Sequence, residues 1–192
     1  MRAILCRQYG PIEDLVLDEV PSPQARPGTV KVRVAAAGVN YVDTLIVRGR
    51  YQLKTPTPFT PGWECVGEIV DVGDDVARDA PHLTIGTRVL VAAGSGAFAE
   101  EVVAPAYAVT VVPDGISDGI AATFVQSYMT AVFALRNRAH AERGQSLLVI
   151  GAGGGVGLAA VDVGASMGLR VFAVASSTEP PPANPQPLRP GP

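Results

Sequence analysis

The sequence is poor in cysteine, since Cys6 and Cys65 are the only two among 192 residues. Two thiols exclude a disulfide framework and a four-thiolate zinc site. An excess of basic charge is missing as well, because 15 lysines and arginines are set against 18 acidic residues, for a net charge of −3. This balance argues against nucleic acid as a partner, since proteins that bind it present a basic surface.

Long apolar segments are also missing. The longest, residues 147–161, is shorter than the ~20 residues of a membrane helix and is interrupted by glycines. No signal-peptide pattern follows Met1. We therefore predict a cytoplasmic protein that does not bind membranes.

Short strand patterns fill residues 1–112. In residues 29–35, valines alternate with Lys31 and Arg33, as expected of a strand with one buried face. Further strand candidates lie at residues 66–72, 88–92, 98–103 and 109–112, and a short helix is possible at 40–47. Glycine and proline separate these segments, which is typical of an antiparallel barrel or sandwich.

A helical pattern follows Pro113. Ser117 and Asp118 are candidate N-caps for a helix over residues 120–138, with a break expected near Gln126. Residues 146–150 form a continuous apolar strand, which predicts a buried position in a parallel sheet. A glycine-rich segment, a helix pattern and a second apolar strand complete one βαβ unit. The predicted fold class is therefore α/β.

The glycine-rich segment fits a dinucleotide-binding loop. Its spacing is Ala152-x-Gly154-x-x-Gly157, in which Gly154 lets the backbone approach a pyrophosphate and Gly157 lets the helix pack closely on the strand. The helix N-terminus adds N–H groups and a positive dipole end. We predict that the cofactor is bound by the loop residues Gly153, Gly154, Gly155, Val156 and Gly157. A tight turn without a ligand is the alternative.

The end of the second strand indicates which dinucleotide is bound. An NAD site usually places an acidic residue there to bind the ribose 2′-hydroxyl, whereas this sequence has Ser176 and Ser177. Their hydroxyls can donate to a 2′-phosphate, so the sequence favours NADPH as the cofactor. Glu179 lies slightly beyond these serines in the sequence, so NADH stays an alternative cofactor.

Several motifs, in order, resemble one family over residues 1–177. They are Ala37-Gly38-Val39-Asn40-Tyr41-Val42-Asp43, Arg48-Gly49-Arg50-Tyr51, Pro58-Phe59-Thr60-Pro61-Gly62-Trp63-Glu64 and Gly67-Glu68-Ile69-Val70-Asp71-Val72-Gly73. The sequence resembles the quinone oxidoreductase (zeta-crystallin-like) branch of the medium-chain dehydrogenase/reductases. This resemblance implies a GroES-like β-rich N-terminal domain followed by a Rossmann domain. It also implies NADPH-dependent reduction of quinones or α,β-unsaturated carbonyls.

The resemblance also implies a site without a metal. Asn40 and Trp63 occupy the positions of the zinc branch's cysteine and histidine ligands, and only Glu64 of that set remains. Asn40 and Tyr51 match polar positions that line the family's nicotinamide and substrate cleft, and they are the candidate catalytic residues. Asn40 would donate its amide to a substrate or cofactor oxygen. Tyr51 would orient the substrate or relay a proton, with a packed aromatic ring as the alternative.

Thr130 is the remaining candidate cofactor contact. It matches a threonine that contacts the cofactor in members of this family. The alternative is a hydroxyl that is hydrogen-bonded to the backbone of its own helix.

The chain supplies only the first two strands of a Rossmann domain. We expect a GroES-like domain at residues 1–115, connecting helices and a partial Rossmann domain at 116–178, and a disordered proline-rich tail at 179–192. Unpaired sheet edges would join two copies into a homodimer. Three hypotheses stay open: an NADPH-dependent reductase, a truncated remnant with weak or no activity, and an interaction protein that uses its proline-rich tail.

Overall fold

A computed structural model describes residues 1–176, which fall into two compact units divided between Gln126 and Ser127. The predicted Ser177 contact and the proline-rich tail at 179–192 lie outside the described residues. The two units divide within one helix. This division does not test the domain boundary predicted at residue 115, which stays a prediction.

The first unit is built on antiparallel strands. Strands β1 (Arg2–Leu5) and β2 (Val16–Glu19) form one pair. The main sheet has five strands, which are β3 (Thr29–Gly38), β4 (Glu64–Val72), β5 (Arg88–Val91), β6 (Glu101–Pro105) and β7 (Val109–Val111). Their order in the sheet is β6-β3-β4-β5-β7. The prediction of a β-rich N-terminal domain is confirmed.

The alternating pattern in β3 predicts its buried face correctly. Val30 and Val32 are fully buried in the main core, with the side chains of Ile69, Val89 and Val91 packed into the same cluster. The strand predicted at 98–103 begins later, at Glu101. The reason is that the backbone around Phe98 bonds to other segments: its N–H donates to Pro61 at 3.0 Å and its carbonyl accepts from Ile4 at 2.9 Å.

The helices of the first unit are short. They are α1 (Tyr41–Val47), α2 (Val76–Asp79) and α3 (Asp118–Ala121). Ser117 caps α3 as predicted, since its side chain accepts a hydrogen bond from the Ile120 N–H. The Thr123 hydroxyl donates to the Gly119 and Ile120 carbonyls at the end of this helix.

Helix α4 (Phe124–Val132) follows after two residues and continues into a π-helical segment, Phe133–Arg138. The predicted break near Gln126 is therefore misplaced, because the interruption lies at residues 122–123. Gln126 instead belongs to the first turn of α4, where backbone N–H groups have no acceptor within the helix. Its N–H is bonded to the Glu64 side chain, at 2.9 Å.

The second unit contains the predicted βαβ unit. Strands β8 (Ser146–Ile150) and β9 (Arg170–Val174) are parallel, and α5 (Gly155–Ser166) connects them. A small core joins α4 and the π-helical segment to α5, through Ala131, Leu135, Ala159 and Val163. The predicted α/β fold class, a GroES-like domain followed by a partial Rossmann domain, is confirmed.

The prediction that both faces of β8 are buried is wrong for the described residues. Val149 is buried, but Leu148 and Ile150 are 61% and 79% exposed. In β9, Phe172 and Val174 are 57% and 49% exposed, and they lie opposite Leu148 and Ile150 in the sheet. Side chains alternate across a sheet, so α5 covers one face only. Across residues 1–176, no helix has both the length and the apolar character needed to cross a membrane.

Candidate functional site

The glycine loop joins the end of β8 to the start of α5. Gly151 adopts a positive φ of 77°, a conformation that glycine reaches without the steric cost of a side chain. A β-carbon built on Gly157 would lie 2.1 Å from the Gly151 carbonyl oxygen and 2.9 Å from the Ala152 Cα. The fold itself therefore requires glycine at position 157. The spacing predicts that Gly157 lets the helix pack closely on the strand, and the residues that Gly157 meets are the first two after that strand.

Gly154 is different, because the fold leaves room for a side chain there. Its backbone is extended, with φ −86° and ψ 163°. A β-carbon on Gly154 would meet its nearest neighbour, the Gly151 oxygen, at 3.5 Å. At Gly153 the nearest neighbour would be the Ala175 Cβ at 3.9 Å. Packing inside the protein does not explain these two glycines, and their small size leaves the loop backbone accessible to a ligand.

The start of α5 offers hydrogen-bond donors to such a ligand. The first intrahelical bond runs from the Leu158 N–H to the Gly154 carbonyl, at 2.8 Å. The preceding N–H groups, of Gly155, Val156 and Gly157, have no acceptor within an α-helix. The helix is 12 residues long, and its dipole favours negative charge at this end. The loop is therefore suited to binding phosphate.

The end of β9 lies beside this loop. The N–H groups of Gly151 and Ala152 both donate to the Val174 carbonyl at 2.9 Å. Ser176 follows two residues later and is exposed. Between Arg170 and Ser176 the described chain has no acidic residue, and Arg170 bonds Ser146 at the opposite end of the strand pair. Strand β9 and the two residues after it therefore contribute no carboxylate that would repel a 2′-phosphate.

In the first unit, Asn40 lies at the N-terminus of α1, and both its backbone and its side chain are hydrogen-bonded. Its backbone N–H donates to Oδ2 of Asp43 at 2.8 Å, and its Nδ2 donates to Oε1 of Glu64 at 2.9 Å. The other Glu64 oxygen, Oε2, accepts from the Gln126 N–H at 2.9 Å. Glu64 is fully buried. Sequence reasoning left both Glu64 and Gln126 out of the site.

The buried carboxylates also change the acidity of their neighbours. Burial raises the pKa of Asp43, and the charge of Glu64 adds to the rise, while the Asn40 N–H opposes it. Burial, with a contribution from Glu64, raises the pKa of Cys65 to about 12. The shift favours the protonated thiol of Cys65 near neutral pH, and a protonated thiol is a weak nucleophile.

Tyr51 is partly buried in a second core cluster that contains Cys6, Val47 and Phe59. The indole of Trp63 meets the Tyr51 ring edge-on, with the centroids 6.2 Å apart and the planes at 80°. This geometry is the preferred one for an aromatic pair. It favours the packed-ring alternative for Tyr51, and a role in orienting substrate or relaying a proton stays a prediction.

Thr130 lies on α4 with its side chain exposed. Two residues before it, the Tyr128 hydroxyl donates to Oδ2 of Asp162 at 2.9 Å. This bond ties α4 to α5, the helix that begins at the glycine loop. The acceptor carboxylate raises the pKa of Tyr128. Sequence reasoning missed the pair because the two residues are 34 positions apart and neither belongs to a motif.

No group of three or more His, Cys, Asp or Glu side chains within the described part of the chain is arranged to hold a metal ion. At the positions of the zinc branch's ligands, Asn40 and Trp63 provide an amide and an indole, and neither is a usual zinc ligand. Zinc independence stays a prediction.

Comparison with known proteins defines the class. Residues 26–114 match the alcohol dehydrogenase GroES-like domain. The quinone oxidoreductase-like protein 2 homolog of Nematostella vectensis is 40% identical over 169 residues, which are 86% of this chain and 44% of that protein. The chain spans about half the length of the curated relatives it matches.

Solved structures agree. The quinone oxidoreductase of Thermus thermophilus, whose complex with NADPH is also known, superposes with a TM-score of 0.80 at 37% identity. This match covers 93% of the present chain and 54% of that one. The enoyl reductase JamJ superposes with a TM-score of 0.81 at 28% identity, over 91% of this chain and 54% of that one. The chain is thus similar to the quinone oxidoreductase-like branch of the medium-chain dehydrogenase/reductases, the family that its motifs resemble.

Proposed function

We propose that this chain serves NADPH-dependent, zinc-independent hydride transfer to quinones or α,β-unsaturated carbonyls. The observation that carries the proposal is the glycine loop. Gly157 is required by packing, whereas Gly154 and Gly153 face space that a side chain could fill. That combination suits a loop whose backbone approaches a pyrophosphate. Oxidoreductases among the relatives and neighbours support the reaction class.

The residues have separate roles in this proposal. The N–H groups of Gly155, Val156 and Gly157 bind phosphate at the start of α5. The Asn40 amide nitrogen carries two N–H groups, of which one is bonded to Glu64, and the second donates to a substrate or cofactor oxygen. Thr130 contacts the cofactor. Bound NADPH supplies the hydride. The chain's own residues position the cofactor and the substrate and polarise the oxygen to which Asn40 donates.

We further propose that the cofactor is NADPH rather than NADH. Ser176 supplies a hydroxyl beside the loop, and no carboxylate precedes it in β9. A hydroxyl can donate to a 2′-phosphate, whereas a carboxylate would repel it. The NADPH complex of the Thermus thermophilus protein supports this choice for the family.

A remnant with weak or no activity is the second candidate. The exposed apolar face of β8 and β9, formed by Leu148, Ile150, Phe172 and Val174, favours it. Such a face is normally covered in a two-faced α/β sheet. On this candidate the first unit folds and the second binds cofactor weakly or not at all.

Oxidation of the cofactor, followed by absorbance at 340 nm with a quinone and then with an enone as acceptor, tests the proposal. We expect turnover with NADPH that is at least tenfold faster than with NADH and is unchanged by a metal chelator. Cofactor binding without turnover would support the remnant. Equal rates with both cofactors would overturn the assignment of NADPH, and inhibition by the chelator would overturn zinc independence.

A further inference from the structure

We propose that Glu64 is a positioning residue that holds the Asn40 amide in one orientation. The proposal goes beyond the roles given above and rests on the proposed function only in its consequence for catalysis. Its basis is the hydrogen-bonding geometry around a carboxylate that no solvent reaches.

Glu64 is the first residue of β4 and is 0% exposed. Each of its oxygens accepts from a different segment: Oε1 from Asn40 Nδ2 and Oε2 from the Gln126 backbone N–H, both at 2.9 Å. Removing a carboxylate from water costs several kcal/mol unless hydrogen bonds replace the lost solvent. An apolar side chain would fill the same place at lower cost. We therefore infer that a carboxylate is buried here because its oxygens are needed as hydrogen-bond acceptors.

A carboxylate can only accept hydrogen bonds, and this fixes which end of the Asn40 amide faces it. The two ends of an amide have nearly the same shape, and only the partners decide which one points where. Oε1 of Glu64 selects the nitrogen end. The second N–H of the same nitrogen then points in a defined direction, and it is the donor assigned to the ligand under the proposed function.

The backbone around Glu64 is adapted to its carboxylate. A β-carbon on Gly38 would lie 2.8 Å from Glu64 Oε1 and 2.3 Å from the Ala122 carbonyl oxygen. Glycine at position 38 thus leaves the space in which the carboxylate sits. The Asn40 backbone is held in turn, since its N–H donates to Asp43. The asparagine is fixed at both its backbone and its side chain.

Glu64→Gln tests the role, because glutamine has the same shape but presents an NH₂ group to one of the two donors. The matched control is Glu68→Gln, on the same strand but exposed. The readout is the pair of Asn40 side-chain NH₂ signals in the ¹⁵N–¹H NMR spectrum, identified by their loss in Asn40→Ser.

In the native protein we expect one Asn40 Hδ2 proton shifted downfield, slow to exchange, and with a nuclear Overhauser effect to Glu64 Hγ. In Glu64→Gln this shift and the Overhauser effect disappear, and in Glu68→Gln both persist. An unchanged Asn40 signal in folded Glu64→Gln would overturn the proposal. If that variant does not fold, the absence of the Overhauser effect in the native protein would overturn it.

The kinetic consequence separates this proposal from the proposed function. Where the native protein oxidises NADPH, we expect kcat to fall at least tenfold in Glu64→Gln, with the KM for NADPH changed less, and neither constant to change in Glu68→Gln. A kcat that is unchanged in Glu64→Gln would overturn the catalytic consequence. Where the native protein has no turnover, the proposed function fails, while the Asn40 signals still decide the role of Glu64.

Discussion

Gly157 lies against Gly151 so closely that a β-carbon on Gly157 would be 2.1 Å from the Gly151 carbonyl oxygen. The first turn of α5 is thereby packed onto the loop that follows β8. The atom in the way belongs to the backbone, so no side-chain rotation can relieve the overlap. Gly157 is thus the last glycine of the loop pattern and is also the residue that allows α5 to pack in this position.

Gly157→Ala is therefore expected to destabilise the second unit by ~1–3 kcal/mol, the usual cost of overpacking. The measurement is urea unfolding followed by circular dichroism. Gly119→Ala is the matched control, because a β-carbon there meets nothing within 4 Å. It should leave the free energy of unfolding unchanged or raise it. Equal stability of the two variants would contradict the packing described for Gly157.

Gly38→Ala is expected to destabilise the first unit by about 2 kcal/mol or more. The added carbon would lie 2.3 Å from the Ala122 carbonyl and 2.8 Å from the Glu64 carboxylate. Neither neighbour can move away cheaply, since one is backbone and the other is fully buried. Thermal unfolding measures the effect, with Gly119→Ala again as control. A melting temperature equal to that of the native protein would refute the close contact.

The pKa of Cys65 predicts a loss of stability at alkaline pH. Burial and the Glu64 charge raise this pKa from 9.0 to about 12. Above pH 9 the unfolded thiol ionises while the folded thiol does not, so the unfolded state binds fewer protons and the free energy of unfolding decreases. The slope is about 1.4 kcal/mol per pH unit between these two values.

Cys65→Ala provides the check on this slope. Unfolding of the native protein and of the variant is measured from pH 8, below the pKa of the unfolded thiol, to about pH 11, below that of the folded thiol. We expect the difference in stability between them to change with pH, and the native protein to lose more. Parallel pH profiles would show that Cys65 ionises equally in both states.

The exposed sheet face predicts self-association. Leu148, Ile150, Phe172 and Val174 form an apolar surface on β8 and β9, and apolar surface of this kind favours association. We expect sedimentation equilibrium to show oligomers that dissociate on dilution. Ile150→Thr should weaken the association at least threefold, whereas Leu17→Thr, at an exposed apolar residue of the first unit, should not. Equal association of the two variants would locate the interface elsewhere.

Local patterns in the sequence predict much of the fold. The alternating valines of β3, the Ser117 cap and the apolar strands flanking the glycine loop each depend on residues close in the chain. These predictions agree with the structure because strand alternation and helix capping depend on residues that are close together in the chain. The family motifs also predict the order of the two domains, with the GroES-like domain before the Rossmann domain.

The remaining features depend on contacts that are distant in sequence. Glu64 bonds Asn40 and Gln126, which are 24 and 62 positions away. The position of Glu64 at the start of β4, directly before the apolar residues Cys65 and Val66, is the signal that could have pointed to a buried acceptor. The sequence also does not predict the exposure of Leu148 and Ile150. The apolar pattern of a strand does not show whether a second layer of helices covers its other face.

Titration of NADPH fluorescence with the native protein, Gly154→Ala and Gly119→Ala tests the central claim most directly. The claim is that Gly154 is kept open for a dinucleotide, since a β-carbon there would meet its nearest neighbour at 3.5 Å. We predict saturable binding to the native protein and Gly119→Ala, and at least tenfold weaker binding to Gly154→Ala at unchanged thermal stability. No binding to the native protein at millimolar NADPH, or equal binding to all three proteins, would contradict it.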